Sequence, residues 1–255
     1  MVRYKDKKFS MKSDLAVITI HSGNGKDLER TLNSIDKQIL KPNLNLVIIK
    51  EIKNFNINIY KKKYRKFILG KDRSIWDAMN IGIRYTKKYN IIFLNSGDTF
   101  YSKITIKKIN KEIKKNINKV LIFKTILKYK NLYFYPKNKY FNNKNYSPHP
   151  SFVRPFLNSI KTDFFNEKNI INADGVWMKS IMNNKGFKKI NKIISIYHLG
   201  GQSSNPSIMS VISLIKFHPN GGIKEIVKYF LSKFLPQKFY YRILYSSKFE
   251  IKIEK

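Results

Sequence analysis

The 255-residue chain contains no cysteine. That excludes a disulfide framework, a thiol nucleophile and every cysteine-based zinc or iron–sulfur site, and it fits a reducing compartment. Acidic residues are scarce. Only 16 Asp and Glu stand against 51 Lys and Arg, a formal net charge of +35, so any chemistry that needs a carboxylate has few candidates. Long apolar runs are also missing. No stretch reaches the ~18 uninterrupted apolar residues of a membrane-spanning helix. Residues 1–13 are charged and have neither an apolar core nor a small-residue cleavage site, so no signal peptide is expected. No internal repeat is visible.

What is present is Lys, Asn and Ile in abundance. A surface this basic attracts anions, whether nucleic acid, anionic lipid or sugar nucleotides. The charge is spread along the chain, and no helix-turn-helix, zinc finger or RNP-type aromatic signature accompanies it, so no specific nucleic acid is expected as a partner. The length suits one large or two small domains and allows a core without covalent staples.

The apolar pattern organises the chain. Residues 15–20 form a β-branched run, followed by the turn cluster Ser22-Gly23-Asn24-Gly25. Leu28, Thr31, Leu32 and Ile35 then recur at helical spacing. Strands are expected at 44–49, 67–69 and 90–94. A helix is expected over 75–86, capped by Asp72 or Ser74. This alternation implies a parallel, doubly wound α/β sheet. Beyond it, the pattern suggests a Lys-rich helix (104–117), strands at 120–123 and 132–135, a loop (137–150), a helix (171–182) and a strand (193–197) closed by Gly200-Gly201. From Pro206 onward apolar and basic residues mix at helical spacing, with breaks at 219–222 and Pro236. Two units are expected: a domain over 14–204 and a basic, aromatic helical extension over 205–255 that contacts a membrane or a partner.

Two stretches carry the most information. Asp72-Arg73-Ser74-Ile75-Trp76-Asp77-Ala78-Met79-Asn80-Ile81-Gly82 is followed by Ile91-Ile92-Phe93-Leu94-Asn95-Ser96-Gly97-Asp98. They read as a polar loop, a helix, a buried strand and an acidic turn at the strand's carboxyl end, where open α/β sheets place their ligands. Asp98 there can hold a divalent cation that bridges phosphates, or it can simply cap a helix. Asp72 on its own is an ordinary helix-start acid, and Arg73 can pair with a phosphate or stay solvated. In Asn172-Ala173-Asp174-Gly175-Val176-Trp177 the only acid is Asp174, which can start a helix and serve as a general base at once.

These stretches resemble family 2 glycosyltransferases. In the subgroup that builds bacterial surface polysaccharides the corresponding runs are D-R/K-G-I-Y-D-A-M-N-K-G and F-L-N-A/S-G-D; here Ser74 and Trp76 stand where that run has Gly and Tyr. The 172–177 segment is similar to S/A-A-D-Y-D of the family, His149-Pro150-Ser151 to H-Q-A/S, and His198-Leu199-Gly200-Gly201-Gln202-Ser203 to x-L-G-G-x-S. The resemblance covers about residues 14–204.

It implies a GT-A fold, with a Rossmann-like, mostly parallel central sheet flanked by helices. It also implies an inverting, metal-dependent transferase of hexosyltransferase type. This enzyme would move a sugar from a nucleotide-sugar donor to a glycan or lipid-linked acceptor in surface polysaccharide or lipopolysaccharide synthesis. The cofactor would be Mn²⁺ or Mg²⁺. The location would be cytoplasmic, on the inner face of the membrane and drawn to its anionic surface. By the same resemblance Asp98 is the metal ligand and Asn95 opens its motif. Asp72, Arg73, Asp77, Asn95 and Asp98 contact the donor nucleotide, and Asp174 is the catalytic base. His149, Trp177, Gly200 and Gly201 contact acceptor or diphosphate, and His198 is an additional metal ligand. One departure matters: the family's V-D-G-G/S-S-T-D after the second strand is replaced by Ile49-Lys50-Glu51-Ile52-Lys53-Asn54. Lys50 or Glu51 falls where an aspartate reads the base. The alternatives are therefore a degenerate, scaffold-like transferase and a basic nucleic-acid-binding protein.

Overall fold

The β-branched run at Leu15 forms β1 (Leu15–Asn24), in which Leu15 to Thr19 are all buried. It reaches further than the alternation predicts. The expected turn at 22–25 is instead the end of the strand running straight into α1 (Gly25–Asp36), whose first turn is capped by the Asn24 side chain accepting from the Lys26 N–H. These elements belong to a computed structural model that describes residues 13–53, 55–70, 72–143, 146, 148–156, 164–167, 173–200 and 219–254. β2 (Leu44–Lys53), β3 (Arg65–Leu69), α2 (Ile75–Tyr85) and β4 (Asn90–Phe93) follow close to their expected places. They give the parallel order β3-β2-β1-β4.

Two hydrophobic clusters sandwich this sheet. On one face Leu28, Leu32 and Ile35 of α1 pack with Ile106, Ile109 and Ile113 of α3 (Thr105–Lys115). On the other, Ala78, Met79 and Ile83 of α2 pack with Ala173, Trp177 and Ile181 of α5 (Ala173–Lys185). Gly82, the last residue of the helix motif, has a packing reason. A Cβ there would sit 2.7 Å from Cγ2 of Ile18, so α2 lies on β1 at a distance only glycine permits.

Beyond β4 the sheet changes character. After the two-residue β5 (Thr99–Phe100) come β6 (Val120–Tyr129), β7 (Leu132–Pro136) and the short α4 (Asn138–Asn142), then β8 (Phe152–Arg154) and β9 (Phe187–His198). β8 lies antiparallel between β4 and β6, while β6 and β9 run parallel to each other. Strands β5, β7 and β8 oppose the others in a ten-stranded sheet. The stretch expected as a loop over 137–150 contains α4 and ends in a 3₁₀ turn at His149–Ser151.

The chain's end departs from the all-helical expectation. α6 (Pro219–Phe234) and α7 (Gln237–Tyr245) are helices, with Pro219 and Pro236 marking their starts. The last element, β10 (Phe249–Ile253), is a strand paired antiparallel with β7. Tyr240, Tyr241 and Phe249 are buried in a cluster with Leu132 and Phe134, so this segment extends the sheet's own core.

Candidate active site at the carboxyl edge of the sheet

β1, β2, β3, β4, β6 and β9 all point their carboxyl ends to one edge, and the loops there carry nearly every residue singled out from the sequence. After β4, Gly97 adopts φ 101°, and α1 holds the loop in place. The Gly97 N–H donates to the Asp27 carbonyl (3.1 Å) and to Thr31 Oγ1 (2.9 Å), and Thr31 Oγ1 donates to the Asp98 carbonyl (2.7 Å). The Asp98 side chain is turned inward, the residue only 5% exposed. Its Oδ1 accepts from the backbone N–H of His198 at 3.2 Å. Burial pushes this carboxyl well above the ordinary carboxylate range, against the opposing pull of the His198 N–H and the Arg30 charge. Asn95 Oδ1, in the same loop, is buried and unpaired.

Three residues of this cluster belong to no motif. His21, near the end of β1, places Nδ1 2.8 Å from Ser96 Oγ, and burial lowers its pKa. Asp27 and Arg30 on α1 form an i,i+3 ion pair. Arg30 also reaches across 168 positions to His198, its Nη1 3.0 Å from Nδ1 of that ring. Burial, with the cations Arg30 and Lys128, pushes His198 down to about 4. A guanidinium only donates, so Nδ1 accepts and the proton of the neutral ring sits on Nε2. With one nitrogen engaged and the other protonated, His198 presents no lone pair to a metal ion. This arrangement does not suit the ligand role expected for it.

The loop before α2 is held from beneath. Ser74 caps the helix by accepting the Asp77 N–H (3.1 Å), and the Asp77 carboxylate accepts the Arg73 N–H (2.9 Å). Arg84 approaches the same carboxylate at 3.5 Å. Asp77, expected to touch the donor, is thus buried and committed to shaping the loop. Arg73 is 81% exposed along its side chain and pairs loosely with Glu167 at 3.3 Å. Asp72 has an unpaired, buried Oδ1. Burial raises its pKa, and the charge of Lys50 opposes the rise. Lys50, one of the two residues at the position of the base-reading aspartate, thus acts on Asp72 through its charge, and its Nζ donates to the Arg73 carbonyl at 3.4 Å.

On the α2–α5 face, the His149 ring stacks on Phe93 (5.0 Å between centroids) with Phe165 and Trp177 edge-on at 6.1 and 6.4 Å. Burial lowers its pKa and the neighbouring Asp174 charge opposes the shift. Asp174 lies in the first turn of α5, half-buried, its Oδ1 accepting the Gly175 N–H at 2.8 Å. Trp177, expected as an acceptor contact, is buried and stacked on Phe165 at 4.6 Å. It forms the wall behind His149 instead. Gly200 follows β9 at φ 106°; Gly201 lies outside the described residues.

His21 Nε2, Asp72 Oδ1, Asn95 Oδ1, His149 Nε2 and His198 Nε2 are all buried without a hydrogen-bond partner. All five belong to this one edge. Buried polar atoms in folded proteins are ordinarily paired, so these five are candidates for contact with a polar ligand at this edge. A cleft of about 910 Å³ along the outer edge of β3, lined by Ile57, Lys61, Lys66 and Phe67 among others, contains none of these groups. Its lining has no carboxylate or imidazole.

No protein-family model matches the sequence, and no curated protein matches it. Solved structures do. Staphylococcus aureus TarS 1-349 in complex with UDP-GlcNAc is similar with a TM-score of 0.61 at 15% identity, over 88% of this chain and 73% of that one. TarS 1-349 in complex with UDP gives 0.60 at 16%, over 92% and 70%, and TarS 1-349 alone gives 0.58 at 16%, over 74% and 60%. The chain spans less than half, 45%, of the longer TarS structure. The shared feature is the fold: an α/β sheet of GT-A type flanked by helices.

Proposed function

We propose that the chain is an inverting glycosyltransferase that takes a sugar from a nucleotide-sugar donor. The observation that carries this reading is the set of unpaired polar atoms around Asn95, Asp98 and His149, at the sheet edge where α/β folds bind nucleotides. The fold's likeness to TarS structures holding UDP and UDP-GlcNAc supports it.

In this reading Asp174 accepts the proton of the acceptor hydroxyl as its oxygen bonds to the anomeric carbon. The bond from that carbon to the diphosphate breaks on the opposite face, giving an inverted glycoside and a nucleoside diphosphate. Asp98 and the free Asn95 Oδ1 are hard oxygen donors of the kind that Mn²⁺ or Mg²⁺ takes when phosphates and water complete its shell. Bound there, the ion would neutralise charge on the leaving diphosphate. Asp72 and Lys50 flank the nucleotide end of the site. Screening a panel of nucleotide sugars for hydrolysis with and without Mn²⁺ tests the proposal. Turnover of one donor that Asp98→Asn removes supports it; absence of both turnover and nucleotide binding favours a degenerate scaffold.

The acceptor in this proposal is a glycan or a lipid-linked intermediate at the cytoplasmic face of an anionic membrane. Val227, Phe230 and Phe234 on α6 and Phe239 and Ile243 on α7 are exposed, beside Lys233, Lys238 and Arg242. Among the described residues no helix is long and apolar enough to cross a membrane, so docking would be peripheral. Replacing Phe230 and Phe234 by Ser should weaken co-sedimentation with anionic vesicles at least severalfold. Undiminished binding removes the helix from that role.

A further inference from the structure

The single N–H of the neutral His198 ring can be assigned to one nitrogen, and there it has no acceptor. Arg30 projects from the second turn of α1, tethered by Asp27, and donates to His198 Nδ1 at 3.0 Å. Since a guanidinium has no lone pair, that contact leaves the ring only the tautomer with hydrogen on Nε2. Nε2 is buried and has no acceptor. A lone N–H donor shielded from water is costly unless something accepts from it.

The acceptor's nature follows from the surroundings. The backbone N–H of the same residue binds Asp98 Oδ1 at 3.2 Å, so the ring stands beside the loop that receives the donor's phosphates in the reading above. Among the described residues Arg30 and Lys128 are the cations that act on the ring, with the Asp27 carboxylate, paired to Arg30, opposing them. A fixed donor among cations suits an anionic oxygen and disfavours a metal ion. To take a metal on Nε2 the proton would have to move to Nδ1, where it would point at the Arg30 N–H and break the 3.0 Å contact.

We infer that Arg30 fixes the tautomer of His198 so that its Nε2–H donates to a diphosphate oxygen of the nucleotide, making His198 a leaving-group ligand and not a metal ligand. The inference rests on the nucleotide-sugar reading. It deepens that reading by giving the diphosphate a protein contact that works without a cation. Arg30 acts through the ring as a positioning residue, and its own charge lies close enough to the site to add to the attraction.

Calorimetry on the full chain tests this. UDP, GDP, ADP and dTDP are titrated, and the tightest is compared with its monophosphate, each with Mn²⁺ and with EDTA. Asn in place of His198 cannot reach the Nε2 position, whereas the Gln amide can. His198→Asn should lower diphosphate affinity about tenfold with and without Mn²⁺, in line with a hydrogen bond to a charged group, and should change monophosphate affinity less than about twofold. His198→Gln should recover most of the loss, and Arg30→Ala should reproduce it. Should the Asn variant fail to fold, the Gln and Arg30→Ala proteins carry the same comparison. A loss that appears only with Mn²⁺ and that Gln does not repair would make His198 a metal ligand and overturn the inference. So would an equal loss for mono- and diphosphate, or none at all. If the wild-type chain binds no nucleoside diphosphate, the glycosyltransferase reading falls and this inference with it; wild-type binding with an indifferent His198 variant removes this inference alone.

Discussion

The two sides of the β4 carboxyl end hold their carboxylates by opposite means. On the α1 side Asp98 is buried and raised well above its ordinary pKa, with charged groups, Asp27 and Arg30, around it. On the α5 side Asp174 is half-buried at a helix start, next to a histidine packed among Phe93, Phe165 and Trp177. The first side puts a carboxylate where its charge is disfavoured until a cation or donor groups arrive. The second fixes a solvent-reaching carboxylate by shape. A site that must neutralise a diphosphate and remove one proton needs both kinds, and the sheet edge separates them by face.

Breaking the α5 side should have the largest kinetic effect. Losing a positioned general base typically costs ~10²–10⁴-fold in rate. Asp174→Asn should therefore lower kcat by that order while nucleoside diphosphate affinity by calorimetry stays near wild type. A variant that loses donor binding yet keeps kcat would place Asp174 in the other half of the site. Breaking the α1 side should come next. Asp98→Asn removes the carboxylate that would hold the ion neutralising the leaving group, and single-group losses of electrostatic stabilisation are typically ~10²–10³ in kcat. It should also abolish the Mn²⁺ dependence of nucleotide binding. Near-normal turnover at saturating metal rules the assignment out.

The contrast also explains what could be seen in the sequence. β1 to β4 and their helices were legible because each is a buried apolar run or a helical stripe with its own punctuation, such as Ser74 before α2. β8 and β10 were not, because three to five residues acquire strand geometry only from neighbours: Val153 from Ile92 and Leu121, Ile251 from Phe134. β9 began six residues earlier than its apolar run suggests, since lysines 188, 189 and 192 give its start no clear alternation. At the site, the motifs lead to Asp98 and Asp174 and equally to Asp77 and Trp177, whose side chains are engaged within the fold, the first by the Arg73 N–H and the second by the Phe165 ring. Asp77 has a basic partner, Arg84, two turns on, and Trp177 falls in step with Ala173 and Ile181 on the buried stripe of α5. His21 and Arg30 were invisible because their partners, Ser96 and His198, lie 75 and 168 positions away, and Asp27 because its carbonyl meets the distant Gly97 N–H. The one local signal was the i,i+3 pair of Asp27 and Arg30.

A third test separates motif residues that bind from those that pack. Gly82 belongs to the helix motif, yet its neighbours are Ile18 and Ile48. Gly82→Ala should destabilise by about 1–3 kcal/mol, as overpacking does, which is a fall in Tm of roughly 2–4 °C per kcal/mol. Nucleotide affinity below the transition should be unchanged. An unshifted Tm would mean that α2 does not lie on β1 as described.

The smallest effect is the most specific to the α1 side, because it reads the cost of the buried carboxylate directly. The native pKa of Asp98 is raised by burial, while in the unfolded chain it is ordinary, about 3.9. Between those values the native state holds a proton that the unfolded state has released. Stability from this group is therefore fully present below about pH 4 and is lost as pH rises through the native pKa. The buried histidines His21, His149 and His198 have lowered pKa values and act with the opposite sign, gaining stability as pH rises towards about 6.5. Comparing the wild type with Asp98→Asn cancels them and leaves Asp98. In EDTA the two proteins should melt together near pH 4. Above it the Asn variant should become the more stable by about 3–5 °C for each unit of pH until the native carboxyl ionises. Saturating Mn²⁺ should narrow the gap, since a ligand of the native state stabilises only the protein that binds it. Melting curves that stay parallel across the pH range in EDTA would show that the carboxylate is solvated, and the contrast between the two sides of the site would disappear.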